Sequence, residues 1–248
     1  MKPRKIKAMV FAAGLGTRLM PETKDKPKAL VEIGGRPVLY WVLLQIYQAG
    51  IREVCINVHA HAHQIYDWVK KLDLHLDIFI SDETKELLET GGALKKAKDF
   101  FLDSDVILVY NADILSDMDV LNLIEAHQHD HIASLAVMNR NSNRKLLADE
   151  NFHLCGWQDE SRSDRVQFRE EKKSYAYSGI MLISRQWFEL ELEEGKFSII
   201  PSLVRLSEMH PIQLCPVNHT YWFDIGSPEK LEGARAWWFT TKHPSSFE

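Results

Sequence analysis

The apolar positions along the chain switch repeatedly between two spacings. Residues 7–12 form an apolar run that leads directly into glycines, the pattern of a strand buried on both faces. Residues 37–49 read as a helix, with Pro37 suited to its first turn and Gly50 to its C-terminal cap. A second strand is expected at 54–58. Across 61–72, Ile65, Trp68, Val69 and Leu72 recur at helical spacing. A strand at 76–80, a helix at 92–101, a buried strand at 106–110, a helix at 119–129 and a strand at 132–138 continue the alternation.

Such alternation with short connections, sustained to about residue 140, predicts an α/β fold. The expected form is a Rossmann-like three-layer α/β/α arrangement with a mostly parallel central sheet. Ligands of such sheets sit outside the carboxyl ends of the strands, so the loops after Ala12, Val58, Ile80 and Tyr110 are the places for chemistry. Beyond residue 140 the chain becomes more polar, with charge clusters at 159–162 and 169–173. Strands are expected there at 154–157, 166–168, 177–183, 212–217 and 221–225, with a helix at 199–207. Ser227 and Pro228 read as the cap and first position of a last helix reaching about Phe239. The expectation is one domain over 1–240, in two parts meeting near residue 140, and a tail at 241–248.

Composition narrows the function classes. The chain has 248 residues, of which 45% are hydrophobic and 26% charged, ruling out disorder or a fibrous repeat as the main state. Lys+Arg is 30 against Asp+Glu 35, a formal net charge of -5 that argues against nucleic acid as a partner. A local basic site for a phosphorylated small molecule remains open. Cys55, Cys155 and Cys215 are odd in number and far apart, which suits a reducing compartment rather than a disulfide framework. Apolar runs are too short for a signal peptide or a membrane span, so a soluble cytoplasmic protein with no membrane partner is expected. Monomer and homo-oligomer both stay open.

The first strand runs into Ala12-Ala13-Gly14-Leu15-Gly16-Thr17-Arg18. Glycines directly after a buried strand permit a sharp turn and close approach to a ligand, and the exposed N–H groups of such a loop cradle phosphate. A dinucleotide fingerprint is excluded because Leu19 occupies the third glycine position, and no Walker A sequence follows. That also removes a nicotinamide-dependent oxidoreductase. Arg18 and the downstream Lys26-Pro27-Lys28 add cations beside the loop, which suits a triphosphate.

This loop and Lys26-Pro27-Lys28 resemble the signature of the sugar-1-phosphate nucleotidylyltransferases. Leu30-Val31, Gly34-Gly35-Arg36-Pro37, Glu89-Thr90-Gly91-Gly92, Asn111-Ala112-Asp113, Tyr177-Ser178-Gly179-Ile180 and Trp222-Phe223-Asp224-Ile225-Gly226-Ser227-Pro228 extend the match in order. The short chain and the Glu-Thr-Gly-Gly segment look most like the uridylyltransferases acting on N-acetylmuramate-1-phosphate. The resemblance implies the nucleotide-diphospho-sugar transferase fold, with nucleotide bound by the first part and sugar by the second. It implies an NTP, most often UTP, and a sugar-1-phosphate as partners, pyrophosphate release, and a place in cell-wall recycling.

It also implies roles. Arg18, Lys28 and Asp113 are the catalytic candidates. Asp113 and Asp224 would hold Mg²⁺, a hard cation that takes one or two carboxylates together with phosphate oxygens. Ala12, Ala13, Gly14, Gly16, Thr17, Glu83, Thr90, Gly91 and Asn111 would meet the nucleotide, with Gly92 and Asn57 near the base. Glu89, Ser178, Gly179 and Asp224 would meet the sugar phosphate. A Glu-Lys-Pro motif common in relatives is absent, and Arg169-Glu170-Glu171-Lys172-Lys173 stands instead, leaving Lys172 or Arg144 as the acceptor-side cation. The alternatives are a guanylyl- or thymidylyltransferase acting on mannose-, heptose- or glucose-1-phosphate, and a non-catalytic nucleotide-sugar-binding regulatory module. His59, His61 and His63 span a strand end and a helix start, so a zinc site there would need side chains that the spacing does not bring together.

Overall fold

The computed structural model describes residues 4–241. Strand β1 (Ile6–Phe11) enters the glycine loop, and a small hairpin, β2 (Glu32–Ile33) and β3 (Arg36–Pro37), precedes helix α1 (Val38–Gln48). Then come β4 (Glu53–Val58), α2 (Ala62–Val69), β5 (Asp77–Asp82), α3 (Glu89–Lys96), α4 (Lys98–Phe101), β6 (Val106–Asn111), β7 (Ile114–Ser116), α5 (Val120–Ala126) and β8 (Ala133–Met138). The second part holds β9 (Arg144–Ala148), β10 (Leu154–Asp159), β11 (Asp164–Gln167), β12 (Lys173–Ser184), α6 (Trp187–Leu190), α7 (Ile199–Leu206), β13 (Ile212–Pro216), β14 (Trp222–Asp224) and α8 (Pro228–Thr240). The tail expected at 241–248 lies, from 242 on, outside the described residues.

The centre of the sheet runs β5-β4-β1-β6-β12-β8-β13. Strands β5, β4, β1 and β6 pair in parallel. Strand β12 is antiparallel to both β6 and β8, and β13 is parallel to β8. All of these strands except β12 therefore point the same way, and their carboxyl ends open on one edge. Strands β9, β10 and β11 extend the sheet as an antiparallel meander attached to the first residues of β12.

Alternate residues of the central strands feed opposite cores, as a doubly covered sheet requires. Ala8, Val10, Leu108 and Tyr110 pack with α1, α2 and α5, while Met9, Ile107 and Val109 pack with α3, α4, α6 and α7. A third cluster, Leu19, Val31, Ile33, Leu115, Ile225 and Leu231, binds α8 to the hairpin and the β7–β14 ribbon.

Three local expectations change. The helix expected at 92–101 begins at Glu89 and divides at Ala97. Gly91 and Gly92 thus lie inside α3, where only glycine fits: a Cβ on Gly91 would lie 2.2 Å from the Phe197 ring, and one on Gly92 2.0 Å from the Gly195 carbonyl. Packing here overrides the low helix propensity of glycine. Pro37 stands just before α1 as its cap residue rather than within its first turn. The strand expected at 221–225 pairs with β7 rather than with the main sheet; β7 itself, the hairpin β2–β3 and α6 have four residues or fewer per element, too short to register as periodic segments, and β9 opens on the charged pair Arg144-Lys145.

Candidate active site

The carboxyl ends of β1 and β6 pair residue for residue up to Phe11 and Asn111, and the Ala112 amide donates to the Phe11 carbonyl at 3.1 Å. This register brings the glycine loop and the Asn111-Ala112-Asp113 segment to the same edge. Between them lies a cavity of about 500 Å³. Its wall includes Ala12, Ala13, Gly14, Gly16, Thr17, Arg18, Lys28, Glu89, Thr90, Asn111 and Asp113.

Gly16 adopts φ 65°, a left-handed conformation, and its carbonyl accepts from the Leu19 amide at 2.8 Å and from Thr23 Oγ1 at 2.8 Å. The turn is thereby fixed, and Thr17 and Arg18 project exposed from its first residues. Lys28 follows Pro27 into a short 3-10 turn, and its ammonium pairs with the Asp113 carboxylate. The Lys28 side chain is only 11% exposed, so a desolvated cation faces the cavity.

Asp224 reaches the same place through a separate ribbon. Residue 224 pairs with Ile114, and the Ile225 amide donates to the Asp113 carbonyl at 3.0 Å. The two aspartates are thus held side by side. Gly226 lines the cavity beneath them: a Cβ there would lie 2.7 Å from Asp224 Oδ1 and 3.3 Å from an Arg18 guanidinium nitrogen. Burial alone would raise the Asp224 pKa. Lys230, bonded to it at 2.7 Å, together with Lys28, overcomes that and holds the carboxyl below its ordinary range.

The nucleotide-side candidates separate into wall and frame. Glu83 is fully buried and does not line the cavity. Its carboxylate accepts from Asn57 Nδ2 at 2.8 Å and from the Leu88 amide at 3.1 Å, while Asn57 Oδ1 accepts from the Ala12 amide at 2.8 Å. Glu83 therefore ties the first loop to the 84–88 segment, and Asn57 and Ala12, but not Glu83, reach the wall. Thr90 lines the cavity and its Oγ1 accepts from the Ile199 amide at 2.9 Å. Gly91 and Gly92 turn away, toward Phe197 and Gly195. Glu89 is exposed at the wall with φ 58°, a left-handed conformation that costs a non-glycine residue about 1 kcal/mol or more.

The sugar-side candidates sit behind Asn111. Gly179 adopts φ 90°, and a Cβ on it would meet Ile114 Cγ1 at 2.8 Å and Asn111 Nδ2 at 3.2 Å. Ser178 is fully buried, and its carbonyl accepts from the Trp222 indole N–H at 2.9 Å. Neither Lys172 nor Arg144 is brought to this region: Lys172 pairs with Glu170, and Arg144 pairs with Asp159 at 2.9 Å across the β9–β10 hairpin. A second cation near Asp224, besides Lys230, is Arg140, over the Trp222 ring at 4.6 Å from its centroid. Burial lowers the Arg140 pKa, and Asp224 opposes that shift. Arg140 and Lys230 were not singled out from the sequence, and Trp222 and Gly226 stood there only as members of the 222–228 motif, without a role of their own. Arg140 had a legible signal, since it follows the carboxyl end of the strand expected at 132–138, where the loop rule applies as it does after Ala12.

Nearby acidic and aromatic side chains serve the fold. Asp117 accepts from the Thr220 and Tyr221 amides at 2.9 and 3.1 Å, and Asp119 caps α5 through the Leu121 amide at 2.9 Å. Trp237 and Trp238 pack on Tyr221 and Trp41, with ring centroids 4.2 and 4.5 Å apart. Among the described residues no three His, Cys, Asp or Glu side chains are arranged to hold a metal by themselves, the histidines after β4 included. No helix there is long and apolar enough to cross a membrane.

A glycine turn, cations and two neighbouring aspartates at the carboxyl edge of a mostly parallel sheet have the chemistry that suits phosphate esters and nucleotides. Residues 7–146 match the nucleotidyl transferase family, and the chain belongs to it, among the sugar-1-phosphate nucleotidylyltransferases. It is 28% identical over 235 residues to the N-acetylmuramate alpha-1-phosphate uridylyltransferase of Neisseria meningitidis, covering 93% of this chain and 97% of that protein. The protein of the same description from Caulobacter vibrioides is 29% identical, covering 92% and 95%. The mannose-1-phosphate guanylyltransferase catalytic subunit beta of Xenopus tropicalis is 25% identical, and the match spans 90% of this chain but 62% of that one. Two solved structures share the fold. UDP-glucose pyrophosphorylase from Acinetobacter baumanii superposes with TM-score 0.77 at 17% identity, covering 97% and 95%. HddC from Yersinia pseudotuberculosis, complexed with GMP-PN, superposes with TM-score 0.75 at 24% identity, covering 94% and 98%.

Proposed function

We propose that this enzyme transfers the uridylyl group of UTP to N-acetylmuramate-1-phosphate, releasing pyrophosphate, in the cytoplasmic recycling of cell-wall sugars. The observation that carries the chemistry is that Arg18, Lys28 and Asp113 line one cavity, with Asp224 behind Gly226 of its wall. The choice of base and sugar rests on the two uridylyltransferases that this chain matches almost end to end. A phosphate oxygen of the acceptor attacks the α-phosphorus in line. One P–O bond forms, the α–β bridge breaks, and its electron pair leaves with pyrophosphate.

The chain's own residues position and neutralise. Amides from Gly14 to Thr17 bind the β- and γ-phosphates. Arg18 stabilises the departing pyrophosphate, and Lys28 holds the α-phosphate. The two adjacent aspartates form a hard oxygen donor set of the kind Mg²⁺ accepts when phosphate oxygens complete its shell. Asp113 and Asp224 would hold that ion, which supplies charge neutralisation at the phosphates when bound. The chain reads as one domain, with its nucleotide side before about residue 140 and its acceptor side after it.

A GTP-dependent reading is kept because guanylyltransferases also match 90% of this chain. The test is pyrophosphate release with Mg²⁺ across the four NTPs crossed with N-acetylmuramate-, glucose-, mannose- and heptose-1-phosphate. Turnover confined to UTP and the muramate phosphate supports the proposal. Turnover with another pair replaces the substrate assignment, and none with any pair overturns the catalytic reading.

A further inference from the structure

Arg140 has no role in the reading above, yet its surroundings are those of a ligand group. It follows β8 by two residues and sits where β8 and β12 lose register. Between Tyr177 and Met181, β12 advances four residues while β8 moves only from Val137 to Leu135. The bulge releases Ser178 and Gly179 from β8 and turns the Ser178 carbonyl to the Trp222 indole. The Arg140 guanidinium carbon lies over that indole, 4.6 Å from its centroid. Trp222 and Asp224 are two residues apart on β14, so their side chains share one face of the ribbon, about 6.7 Å apart along it. Arg140 therefore stands on the face that carries Asp224 into the active site.

Its charge is not neutralised locally. Among the described residues Arg140 has no carboxylate within ion-pair distance, and Asp224 already holds Lys230. Its hydrogen bonds are long ones to the Asn141 and Tyr177 carbonyls, at 3.3 and 3.5 Å. Arg140 Nε, Tyr177 Oη and Ser178 Oγ are buried with no hydrogen-bond partner, and Ser178 is fully buried. A half-buried guanidinium whose Nε has no hydrogen-bond partner is expensive unless an anion completes it. Arg18, Lys28, Lys230 and Arg140 outnumber Asp113 and Asp224 in this corner. The excess positive charge matches an incoming anion. Arg18 and Lys28 stand at the glycine-loop end, whereas Arg140 stands beside the Gly179 bulge.

Resting on the nucleotidyl-transfer reading, we propose that Arg140, braced on Trp222, is the acceptor-binding cation of this enzyme, gripping an anionic group of the sugar phosphate. The anion is either the 1-phosphate itself or an acidic substituent on the sugar, and guanidinium geometry suits both.

The test is steady-state kinetics of wild type, Arg140→Gln and Arg140→Lys with N-acetylmuramate-1-phosphate and N-acetylglucosamine-1-phosphate, using the NTP on which the wild type turns over. Calorimetric titration of both sugar phosphates accompanies it. The expected result is a rise of about 10- to 100-fold in sugar-phosphate KM and Kd for Arg140→Gln, with NTP KM within twofold and partial recovery in Arg140→Lys. Equal loss for both acceptors assigns the grip to the phosphate. Loss confined to the muramate compound assigns it to the lactyl carboxylate. Unchanged sugar-phosphate KM and Kd in a folded Arg140→Gln, with wild type active, overturns the proposal. A wild type that turns over no pair sinks the underlying reading instead, while loss of NTP binding in the variant would show that Arg140 serves the fold or the nucleotide and also overturn the proposal.

Discussion

Asp113 and Asp224, 111 positions apart in the chain, are neighbours through the backbone. The amide of Ile225 donates to the Asp113 carbonyl at 3.0 Å, and the β7–β14 ribbon starts from that bond. Each carboxylate is compensated by a different lysine, Lys28 for Asp113 and Lys230 for Asp224. Replacing either by asparagine keeps the shape and removes one charge. Asp113→Asn and Asp224→Asn are each expected to lower kcat for pyrophosphate release by about 100-fold or more, with unchanged far-UV circular dichroism. Retention of near wild-type kcat in both would remove the metal-holding role.

Gly226 lies under Asp224 and Arg18, and the nearest atoms to an added Cβ are their side-chain ends. Gly226→Ala should displace the carboxylate without opening the core. The expected outcome is a loss in kcat of about 10- to 100-fold with Tm within 2 °C of wild type. A fall in Tm without a change in kcat would place Gly226 outside the reaction.

Gly91 provides the contrasting case. Its Cβ position overlaps the Phe197 ring, so Gly91→Ala is a packing change. The expected cost is about 1–3 kcal/mol, seen as a drop of several degrees in Tm, with NTP KM preserved in the folded enzyme. An NTP KM raised tenfold at unchanged Tm would return Gly91 to the nucleotide wall.

Glu83 acts through Asn57. Glu83→Gln keeps the volume but puts an amide where a carboxylate accepts from both Asn57 and Leu88. NTP KM should rise about tenfold while sugar-phosphate KM stays within twofold, since the linkage reaches Ala12 and not β12. Equal changes in both would point to general loosening.

His127 is buried between Arg4 and Ser134, and burial pushes its pKa down to about 4. The folded state keeps it neutral while the unfolded chain protonates near pH 6.5. Stability from this group is complete above pH 6.5 and is lost as pH falls from there toward 4. Between pH 7 and pH 5 the loss should be about 2 kcal/mol, measured by urea unfolding and reduced in His127→Gln. His131 shifts the same way through burial. A pH-independent urea midpoint across that window would contradict the assignment.

The legibility of this protein divides by the distance over which its signals act. The central strands could be read because each is an apolar run long enough to bury both faces, and their parallel order followed from the helices between them. The glycine loop and Asp113 were legible because each directly follows the end of a buried strand, and Lys28 because it stands in the segment that continues the loop. Glu83 was visible as a loop acid but not as the buried anchor of Asn57, since its partners come both from the end of β4 and from Leu88. Gly91 and Gly92 were legible as small residues; what they make room for is a side chain and a carbonyl about a hundred residues later.

The sequence by itself therefore determined the α/β class, the edge of the sheet that carries chemistry, and the residue types gathered there. Local periodicity and turn chemistry are properties of neighbours along the chain. Tertiary structure alone decided that Asp224 meets Asp113 through a two-stranded ribbon, that Lys230 and Arg140 flank it, and that Lys172 and Arg144 face other partners. Those pairings depend on a bulge in β12 and on where α8 docks, which are set by the packing of distant apolar faces rather than by any short pattern.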